Sequence, residues 1–384
     1  MVVWIVNPYD NLPLEGCRPQ RYWLMARAFA AAGHDVTLWT SDFSHARKRP
    51  RQISGPVAGD GFALRLVPTP PYPRNICLRR IFSHRAFARR WRALAEREAP
   101  PDMLVASMPP IALGTSASAF CRSAGAKFVL DVQDAWPETF ERIVPRFLLS
   151  PLRSAAKRIY RSADAVSAVA RKYLDLAASY GASSPVRLAP LGVELVQAAA
   201  ASPAAKSAWP ERLRLAYAGN MGRSYDLATV VDCVARDDSL LLDLAGAGPD
   251  ERSLRARAAG CPRIRFHGYL GAGDLRSLLA AADAALVPMF DDSLVGIPGK
   301  LADYAAAGLP ILNSLSGETA DLIAAHSAGF TYNAGSQSSF LDAVTRLRAS
   351  HRPSLCAGAA SLASFFDASV VYPAYVAWTE RIES

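Results

Sequence analysis

The sequence predicts an α/β protein with two doubly wound domains. Its first half alternates short apolar runs with helical stretches, the order that produces a parallel sheet. A segment rich in Ala, Ser and Pro at 197–210 then breaks the alternation and indicates an interdomain linker. A second series of apolar runs and helices follows this segment. The 384 residues are enough for two domains, each with its own core.

The first domain is assigned to residues 1–195. Its first helix is predicted at Pro19–Ala32, because a proline stands at its start and Gly33 directly follows its end. Short apolar runs predict the strands of this domain at Val2–Val6, Asp35–Thr40, Met103–Ala106, Lys127–Val132, Ala163–Val169 and Val186–Leu191.

The second domain is assigned to residues 211–360. Its predicted strands are Leu213–Ala218, Leu240–Ala245, Ile264–His267, Ala284–Pro288 and Leu309–Asn313. The remaining residues, 361–384, form a helical tail rich in aromatic side chains. We treat this tail as a separate element that is a candidate for docking on the first domain.

The composition is typical of a globular protein in a reducing compartment. Apolar residues make up 51% of the chain, and no run of about 20 apolar residues predicts a membrane-spanning helix. The six cysteines include no Cys-x-x-Cys pair, which argues against a zinc site and against a disulfide framework. The N-terminal residues 1–6 lack the length and the basic residues of a signal peptide. We therefore expect a cytoplasmic protein with no metal site.

The charge is concentrated in the first half. Residues 1–190 carry 27 Lys and Arg against 14 Asp and Glu, whereas residues 191–384 carry 16 against 20. The segment 74–92 holds seven arginines interleaved with Ile81, Phe82, Phe87 and Trp91. Such a segment suits an anionic membrane surface, with nucleic acid and a solvated surface helix as alternatives. We favour the membrane and expect no nucleic acid, because no nucleic-acid-binding module accompanies the arginines.

The stretch 294–312 contains a short polar helix between two apolar strands. The helix is predicted to begin after Pro298-Gly299 and to end at Gly308, so Lys300, Asp303, Tyr304 and Ala307 share one face. Its first-turn amides favour anions, and a lysine with a carboxylate one turn later suits a ligand that carries phosphates and a diol. A nucleotide sugar is such a ligand. The alternative is a solvated helix with an ordinary ion pair.

Two glycine loops follow strands of the second domain. The loop Ala218–Arg223 lets backbone amides approach a phosphate, and Arg223 adds a cation. The loop Ala245–Asp250 resembles the start of a dinucleotide fingerprint but lacks its third glycine, which disfavours a nicotinamide enzyme. His267, before Gly268 and Tyr269, is either part of a base pocket or a packed core histidine.

Two loops of the first domain carry polar side chains after strands. One loop contains Glu15, Gly16 and Arg18 and leads to Arg21. In the other, Asp131–Glu138, a buried strand ends with the carboxylates Asp131 and Asp134, and Trp136 follows. Asp134 is favoured as a residue that contacts sugar hydroxyls or accepts a proton, with a helix N-cap as the alternative. Asp131 is equally consistent with that role and with a satisfied buried carboxylate.

Taken in order, these motifs resemble the GT-B glycosyltransferases, specifically the retaining family 4 group that includes enzymes of cell-surface polysaccharide synthesis. The resemblance runs over nearly the whole chain. It is carried by the Glu15-Gly16 loop with Arg21, Gly33–Thr37, Asp131–Glu138, Pro190–Val193, Tyr217–Gly222 and Pro298–Pro310.

The resemblance implies two Rossmann-like domains that face each other across a cleft, with the nucleotide on the C-terminal domain and the acceptor on the N-terminal one. The implied catalytic residues are Asp134, Arg223 and Lys300. The implied nucleotide-sugar-binding residues are Gly16, Gly219, Asn220, Gly222, Arg223, Gly248, His267, Gly268, Tyr269, Lys300 and Asp303. The implied acceptor-side residues are Glu15, Arg18, Arg21, Asp131 and Trp136. The nucleotide sugar is a co-substrate, and the resemblance implies neither a cofactor nor a metal.

The chain departs from the family pattern at two places. Val295 stands where the first glutamate of the EX7E motif is expected, with Asp303 in place of the second, and Ser224–Leu227 lacks the usual lysine after the Arg223 loop. The expected function is transfer of a sugar from a nucleoside diphosphate to a glycan acceptor, lipid-linked, at the inner face of a bacterial membrane. Retention is expected; if the enzyme inverts, Asp134 is the candidate base. The alternatives are a nucleotide-sugar epimerase of similar fold and a non-catalytic nucleotide-sugar-binding scaffold.

Overall fold

The computed structural model describes residues 1–53, 57–58, 60–142, 144–195 and 208–382. Most of the predicted linker, 197–207, lies outside these residues. The chain divides into two compact units. Unit 1 comprises Met1–Gly192 and Ala368–Ser384, and unit 2 comprises Val193–Asp367.

Unit 1 contains an eight-stranded sheet in the order β10-β9-β8-β7-β1-β2-β6-β5. All neighbours are parallel except β5, which runs antiparallel to β6, and β3 and β4 form a separate antiparallel pair. The strands are β1 Val2–Val6, β2 Asp35–Ser41, β3 Phe43–Ser44, β4 Arg49–Pro50, β5 Val57–Ala58, β6 Ala63–Val67, β7 Met103–Met108, β8 Lys127–Val132, β9 Ala165–Ala168 and β10 Val186–Leu188. The helices between them are α1 Arg21–Ala31, α2 Leu78–Ala95, α3 Ile111–Ala124, α4 Ser150–Ser162 and α5 Arg171–Ser179.

Unit 2 contains a six-stranded, fully parallel sheet in the order β13-β12-β11-β14-β15-β16. Its strands are β11 Leu213–Ala218, β12 Leu240–Ala245, β13 Ile264–Gly268, β14 Ala284–Val287, β15 Ile311–Asn313 and β16 Gly329–Thr331. Its helices are α6 Leu227–Arg236, α7 Glu251–Arg257, α8 Ala272–Ala281, α9 Gly299–Ala306, α10 Glu318–Ala325, α11 Gln337–Ala349 and α12 Arg352–Phe365.

The predicted α/β class with two doubly wound sheets is confirmed. The central strands are rich in apolar residues because both of their faces are covered; every residue of β7 and of β14 is buried. In unit 2 the strand order reverses between β11 and β14. Open α/β sheets bind ligands outside the carboxyl ends of the strands at such a reversal. The loop after β11 and helix α9 both begin at this point.

The tail is helical as expected, but it is two helices with a break at Phe366–Asp367. α12 belongs to unit 2, and the last helix, α13 Ala368–Thr379, belongs to unit 1. In unit 1 the ring of Tyr375 packs edge-on against Phe29 of α1 at 6.2 Å, and Tyr372 Oη donates to Gly192 O at 3.3 Å.

The structure contains two parallel strands that the sequence analysis did not predict, β6 and β16. β6 is amphipathic, with exposed and buried residues alternating, and β16 is only three residues long and begins with a glycine. None of the helices in the described ranges is both long and apolar enough to cross a membrane.

Candidate functional site

The glycine loops of unit 2 interlock at the carboxyl edge of its sheet. Gly219 N donates to Ala245 O at 3.0 Å, and Gly246 N donates to Gly268 O at 2.6 Å. These contacts leave no space for side chains. A Cβ at Gly246 would lie 2.0 Å from Gly219 O, and one at Gly248 would lie 2.2 Å from Met221 O. Glycine is therefore required at both positions for the loops after β11, β12 and β13 to pack.

Lys300 lies in the first turn of α9 and brings its ammonium against the β11 loop. Its Nζ donates to Tyr217 Oη at 3.0 Å and lies 4.1 Å and 3.8 Å from the ring centroids of Tyr217 and Tyr225. A Cβ at Gly219 would be 3.1 Å from the same nitrogen. The Lys300 ammonium is thus held in an aromatic cage beside the glycine loop.

The electrostatics of this cage favour an added anion. Burial lowers the pKa of Lys300 well below its usual range, and the nearby Asp303 only partly opposes this effect. Among the described residues, Tyr217 Oη is the one hydrogen-bond acceptor of Nζ, although an ammonium has three donors. No side chain caps the start of α9, so its first amides add to the positive potential there.

Tyr304 fixes the position of α9. It is fully buried, and its hydroxyl accepts a hydrogen bond from Ala218 N at 2.8 Å. Lys300, Asp303 and Tyr304 were predicted to share a ligand-binding face of the helix. Tyr304 instead packs on β11, while Lys300 and Asp303 remain partly exposed. This bond ties the Lys300 helix directly to the strand that precedes the glycine loop.

The remaining residues of the β11 loop are arranged around Gly222. A Cβ there would lie 2.8 Å from Asn220 Nδ2, while Asn220 O accepts from Tyr217 Oη at 2.5 Å. Arg223 follows and is exposed. The structure therefore brings Gly219, Asn220, Gly222, Arg223 and Lys300 together at the reversal of strand order.

His267 is engaged by the protein itself. Its Nε2 lies 2.7 Å from Oδ1 of the buried Asp243, whose other oxygen accepts from Arg214 at 3.1 Å. Gly268 has a φ of 65° and accepts the amide of the β12 loop. Tyr269, which follows it, is 84% exposed. The contacts of His267 are those of a structural histidine, one of the two interpretations that its sequence position left open.

In unit 1, Asp131 is a fully satisfied buried carboxylate. It accepts from Arg21 Nε and Nη2 at 2.8 and 2.7 Å, from Tyr22 Oη at 2.7 Å and from Ser167 Oγ at 2.6 Å. Burial favours the protonated form, but Arg21 and these donors hold the pKa of Asp131 below its usual value. Arg21 also donates to the carbonyls of Ala189 and Pro190 and is 3% exposed. These contacts assign Arg21 and Asp131 to the framework of unit 1.

Asp134 is in a different environment three residues later. It accepts from Ala135 N at 2.8 Å, Trp136 Nε1 at 3.1 Å and Thr139 Oγ1 at 3.2 Å. Burial nevertheless raises its pKa above the ordinary value, and these hydrogen bonds together with the charge of Arg80 only partly offset the effect. Asp134 is therefore held in a fixed position by neutral donors, with Trp136 as its direct partner.

The loop before α1 is joined to the residue that follows β4. Glu15 forms an ion pair with the buried Arg51, and Gly16, with a φ of 70°, ends the short 3₁₀ turn Pro13–Glu15. Arg18 is exposed. Glu15 thus positions this loop, while Arg18 lies at the surface.

Tyr217 and Tyr225 are not among the predicted site residues, although both flank the glycine loop in the sequence. A group of histidine, lysine and tyrosine side chains in unit 1 was likewise not predicted. The described residues contain no group of three or more His, Cys, Asp or Glu placed to hold a metal ion.

Two family models match the chain in succession. A model described as "Glycosyl transferase 4-like domain" matches residues 19–193, and one described as "Glycosyl transferases group 1" matches residues 212–350. No curated protein sequence matches the chain.

Several solved structures share the fold along the whole chain. Sucrose-phosphate synthase (tll1590) from Thermosynechococcus elongatus has a TM-score of 0.78 at 13% identity, covering 100% of this chain and 99% of that one. Anabaena Alr3699/HepE in complex with UDP and glucose has a TM-score of 0.69 at 12% identity, covering 99% of each chain. WaaG, a glycosyltransferase involved in lipopolysaccharide biosynthesis, has a TM-score of 0.64 at 17% identity, covering 98% of each. At these identities, the similarity establishes the fold.

Proposed function

The chain belongs to the family 4-like glycosyltransferases of the GT-B fold, and we propose that it transfers a hexosyl group from a nucleoside diphosphate sugar to a glycan acceptor. The observation that carries the choice of donor is the caged Lys300 ammonium beside the interlocked glycine loops. A fold neighbour, Alr3699/HepE, was solved with UDP-glucose, which supports a nucleotide sugar as the donor class.

In this proposal the protein's own cations stabilise the leaving diphosphate, and no metal ion is needed. Lys300 would donate charge-assisted hydrogen bonds to the phosphates, with Arg223 and the first amides of α9 as further donors. Donors that are fixed before the reaction stabilise developing charge without reorganising. The cage of Tyr217 and Tyr225 supplies this fixation, since the two rings hold Nζ in place and bring no negative charge to it.

We further propose that the sugar is transferred with retention. The acceptor hydroxyl would attack from the face of the leaving group, and a phosphate oxygen of the donor would accept its proton. No side-chain nucleophile is then needed. Val295, at the position of the family glutamate, cannot hydrogen-bond the donor sugar, so other groups would hold the sugar in this enzyme. Asp134 would position donor or acceptor hydroxyls, or act as the base if the enzyme inverts.

The acceptor is proposed to be a lipid-linked glycan at the inner face of a bacterial membrane, in the synthesis of a surface polysaccharide. Two fold neighbours, WaaB and WaaG, act in lipopolysaccharide synthesis. The start of α2 also exposes large apolar side chains beside arginines, with Leu78 83% and Phe82 63% exposed. This combination suits an anionic bilayer surface.

The first experiment is a thermal-shift panel of UDP, GDP, ADP and TDP, because a ligand that binds the native state raises its melting temperature. The preferred nucleotide is then tested as its hexose conjugates for turnover with a lipid-linked glycan acceptor. We expect one nucleotide to give the largest shift and one conjugate to be consumed. No shift with any nucleotide would overturn the donor assignment, and binding without turnover would favour the scaffold alternative.

Membrane association is tested separately by flotation with anionic liposomes. Replacing both Leu78 and Phe82 by Ser should reduce the fraction of protein that floats, because the apolar contact with the bilayer is lost. Equal flotation of the variant and the wild type would show that this part of α2 does not contact the membrane.

A further inference from the structure

A second group of cations lies in unit 1, at the carboxyl ends of β1, β2 and β6. We call it the cationic cluster and define it as Tyr9, His45, Lys48, Tyr72, Arg80 and His84. Tyr9 follows β1, His45 and Lys48 follow the short strand β3, Tyr72 follows β6, and the other two lie in the first turns of α2. The carboxyl ends of parallel strands meet at one edge of a sheet, which explains how such distant residues converge.

The two histidines of the cluster accept hydrogen bonds from cations. Arg80 Nε donates to His84 Nε2 at 3.2 Å, and Lys48 Nζ lies 3.3 Å from His45 Nδ1. An arginine or a protonated lysine can only donate, so each imidazole accepts and is neutral. In agreement, burial together with the neighbouring cations lowers the pKa of both histidines to about 3.

Arg80 lies among the aromatic rings. Its guanidinium carbon is 5.4 Å from the Trp136 ring centroid, 5.5 Å from that of Tyr9 and 6.0 Å from that of Tyr72. These distances are within the range of cation–π attraction. The rings hold the guanidinium in place, and its Nη1 donates to Asn75 O at 2.7 Å.

The cluster has more positive than negative charge. Within the described part of the chain, neither Lys48 nor Arg80 forms an ion pair with a carboxylate. The charge of Arg80 does act on the buried carboxyl of Asp134, but burial still raises the pKa of that carboxyl above its ordinary value. The polar partners of Lys48 and Arg80 are neutral: the Asn75 side chain and backbone, and the two imidazoles. Burial and the charge of Arg80 lower the pKa of Lys48 to about 8. An anion placed between the two cations would remove this mutual repulsion.

Large apolar side chains lie beside these cations and face solvent. Ile76 is 70% exposed, Leu78 83% and Phe82 63%, all within four residues of Arg80 along the chain. A molecule that joins an anionic group to a long apolar chain would satisfy both features. We propose that the cationic cluster binds the phosphate group of a lipid-linked acceptor, while the exposed apolar residues contact the lipid. This assignment rests on the proposed function, since it names the acceptor of the same reaction.

The test compares two double variants of the full chain that remove equal charge. Lys48→Gln with Arg80→Gln removes both cations of the cluster, while Arg79→Gln with Arg85→Gln removes two exposed cations of α2 as the matched control. Flotation is measured with three vesicle types: phosphatidylcholine alone, phosphatidylcholine with a polyisoprenyl monophosphate, and phosphatidylcholine with phosphatidylglycerol. The last two are matched in charge.

The wild type should bind the polyisoprenyl phosphate vesicles more tightly than the phosphatidylglycerol vesicles. The Lys48/Arg80 variant should lose that preference, with affinity lower by about tenfold or more, as expected when charge-assisted hydrogen bonds are lost. The control should bind both anionic vesicles more weakly but keep the preference. Equal losses for the two variants, or no preference in the wild type, would overturn the proposal.

Two further measurements complete the test. Inorganic phosphate should displace the protein from polyisoprenyl phosphate vesicles only at concentrations far above that of the lipid; equally effective displacement would overturn the assignment to a lipid. The single variant Lys48→Gln, whose melting temperature should match the wild type, separates lost binding from lost folding. The thermal shift with nucleotides reports on the donor site independently, so failure of the proposed function and failure of this inference give different results.

Discussion

Lys300→Met is the substitution that most directly tests the donor site. Methionine keeps an unbranched side chain of similar length but removes the nitrogen that lies 3.8 Å and 4.1 Å from the rings of Tyr225 and Tyr217. Tyr217 Oη still donates to Asn220 O, so the loop keeps its own hydrogen bond. The change therefore removes the cation and leaves the cage.

The expected loss of affinity follows from the number of bonds removed. A hydrogen bond to a charged group contributes about 1.5–3 kcal/mol, and about 1.4 kcal/mol corresponds to a factor of ten. The dissociation constant of UDP, or of the preferred nucleotide, should therefore rise roughly 10- to 150-fold. The same substitution should raise the stability of the ligand-free protein or leave it unchanged. Burial already disfavours the Lys300 ammonium, as its lowered pKa indicates.

Isothermal titration calorimetry measures the affinity, and thermal denaturation of the ligand-free proteins provides the control. We expect weaker binding with a melting temperature equal to or above that of the wild type. A bound diphosphate should also raise the pKa of Lys300 again. Above the pKa of the free enzyme, binding then takes up a proton, and the affinity falls as the pH rises through that value. Unchanged affinity in the variant, or weak binding explained by a lower melting temperature, would refute the reasoning.

Three further substitutions test other parts of the structure. Asp131→Ala leaves the buried Arg21 unpaired and should lower the free energy of unfolding by about 3–5 kcal/mol in urea denaturation. In the wild type this stabilisation is present above the unfolded-state pKa of the carboxyl, and it is lost as the pH falls through the lowered folded-state pKa. A loss below about 1 kcal/mol would contradict a structural ion pair. Gly248→Ala should strongly destabilise the protein because its Cβ would lie 2.2 Å from a carbonyl oxygen, whereas Gly273→Ala, in an open helical position, should stabilise it by about 0.5–1 kcal/mol; equal melting temperatures for the two variants would disprove the packing argument. Asp303→Ala should weaken the binding of uridine and of UDP by the same factor. A loss of affinity confined to nucleotides that carry a donor sugar would show that the carboxylate does not bind ribose.

The sheet could be predicted from the sequence wherever strands are buried on both faces. Met103–Ala106 of β7 and the whole of β14 are continuously apolar, and no other element fits so short a run between helices. β6 was not predicted because exposed residues such as Ala63 and Arg65 alternate with its buried ones, and Arg65 interrupts its apolar run. β16 was not predicted because a strand of three residues that begins with a glycine is too short to show an apolar pattern.

Residues of the candidate site could be predicted where they lie together in one short segment of the sequence. The glycine loops and Lys300 each belong to one short motif next to a strand. The cage around Lys300 and the cationic cluster were not predictable, because their members come from distant segments. Lys48 and Tyr72 meet only because β2 and β6 pair side by side although β3, β4 and β5 intervene in the chain. Sequence spacing does not encode that adjacency.

Asp131 and Asp134 show why a motif alone does not assign chemistry. Both carboxylates lie in one loop-ending motif and both are largely buried, yet their pKa values move in opposite directions. A guanidinium and two hydroxyls hold Asp131 in its charged form, while Asp134 has only neutral donors and is shifted toward protonation. A carboxylate that accepts a proton during catalysis needs a pKa near the working pH and an oxygen that is not committed to a cation. Asp131 fails on both counts, so of these two carboxylates Asp134 remains our candidate for proton transfer.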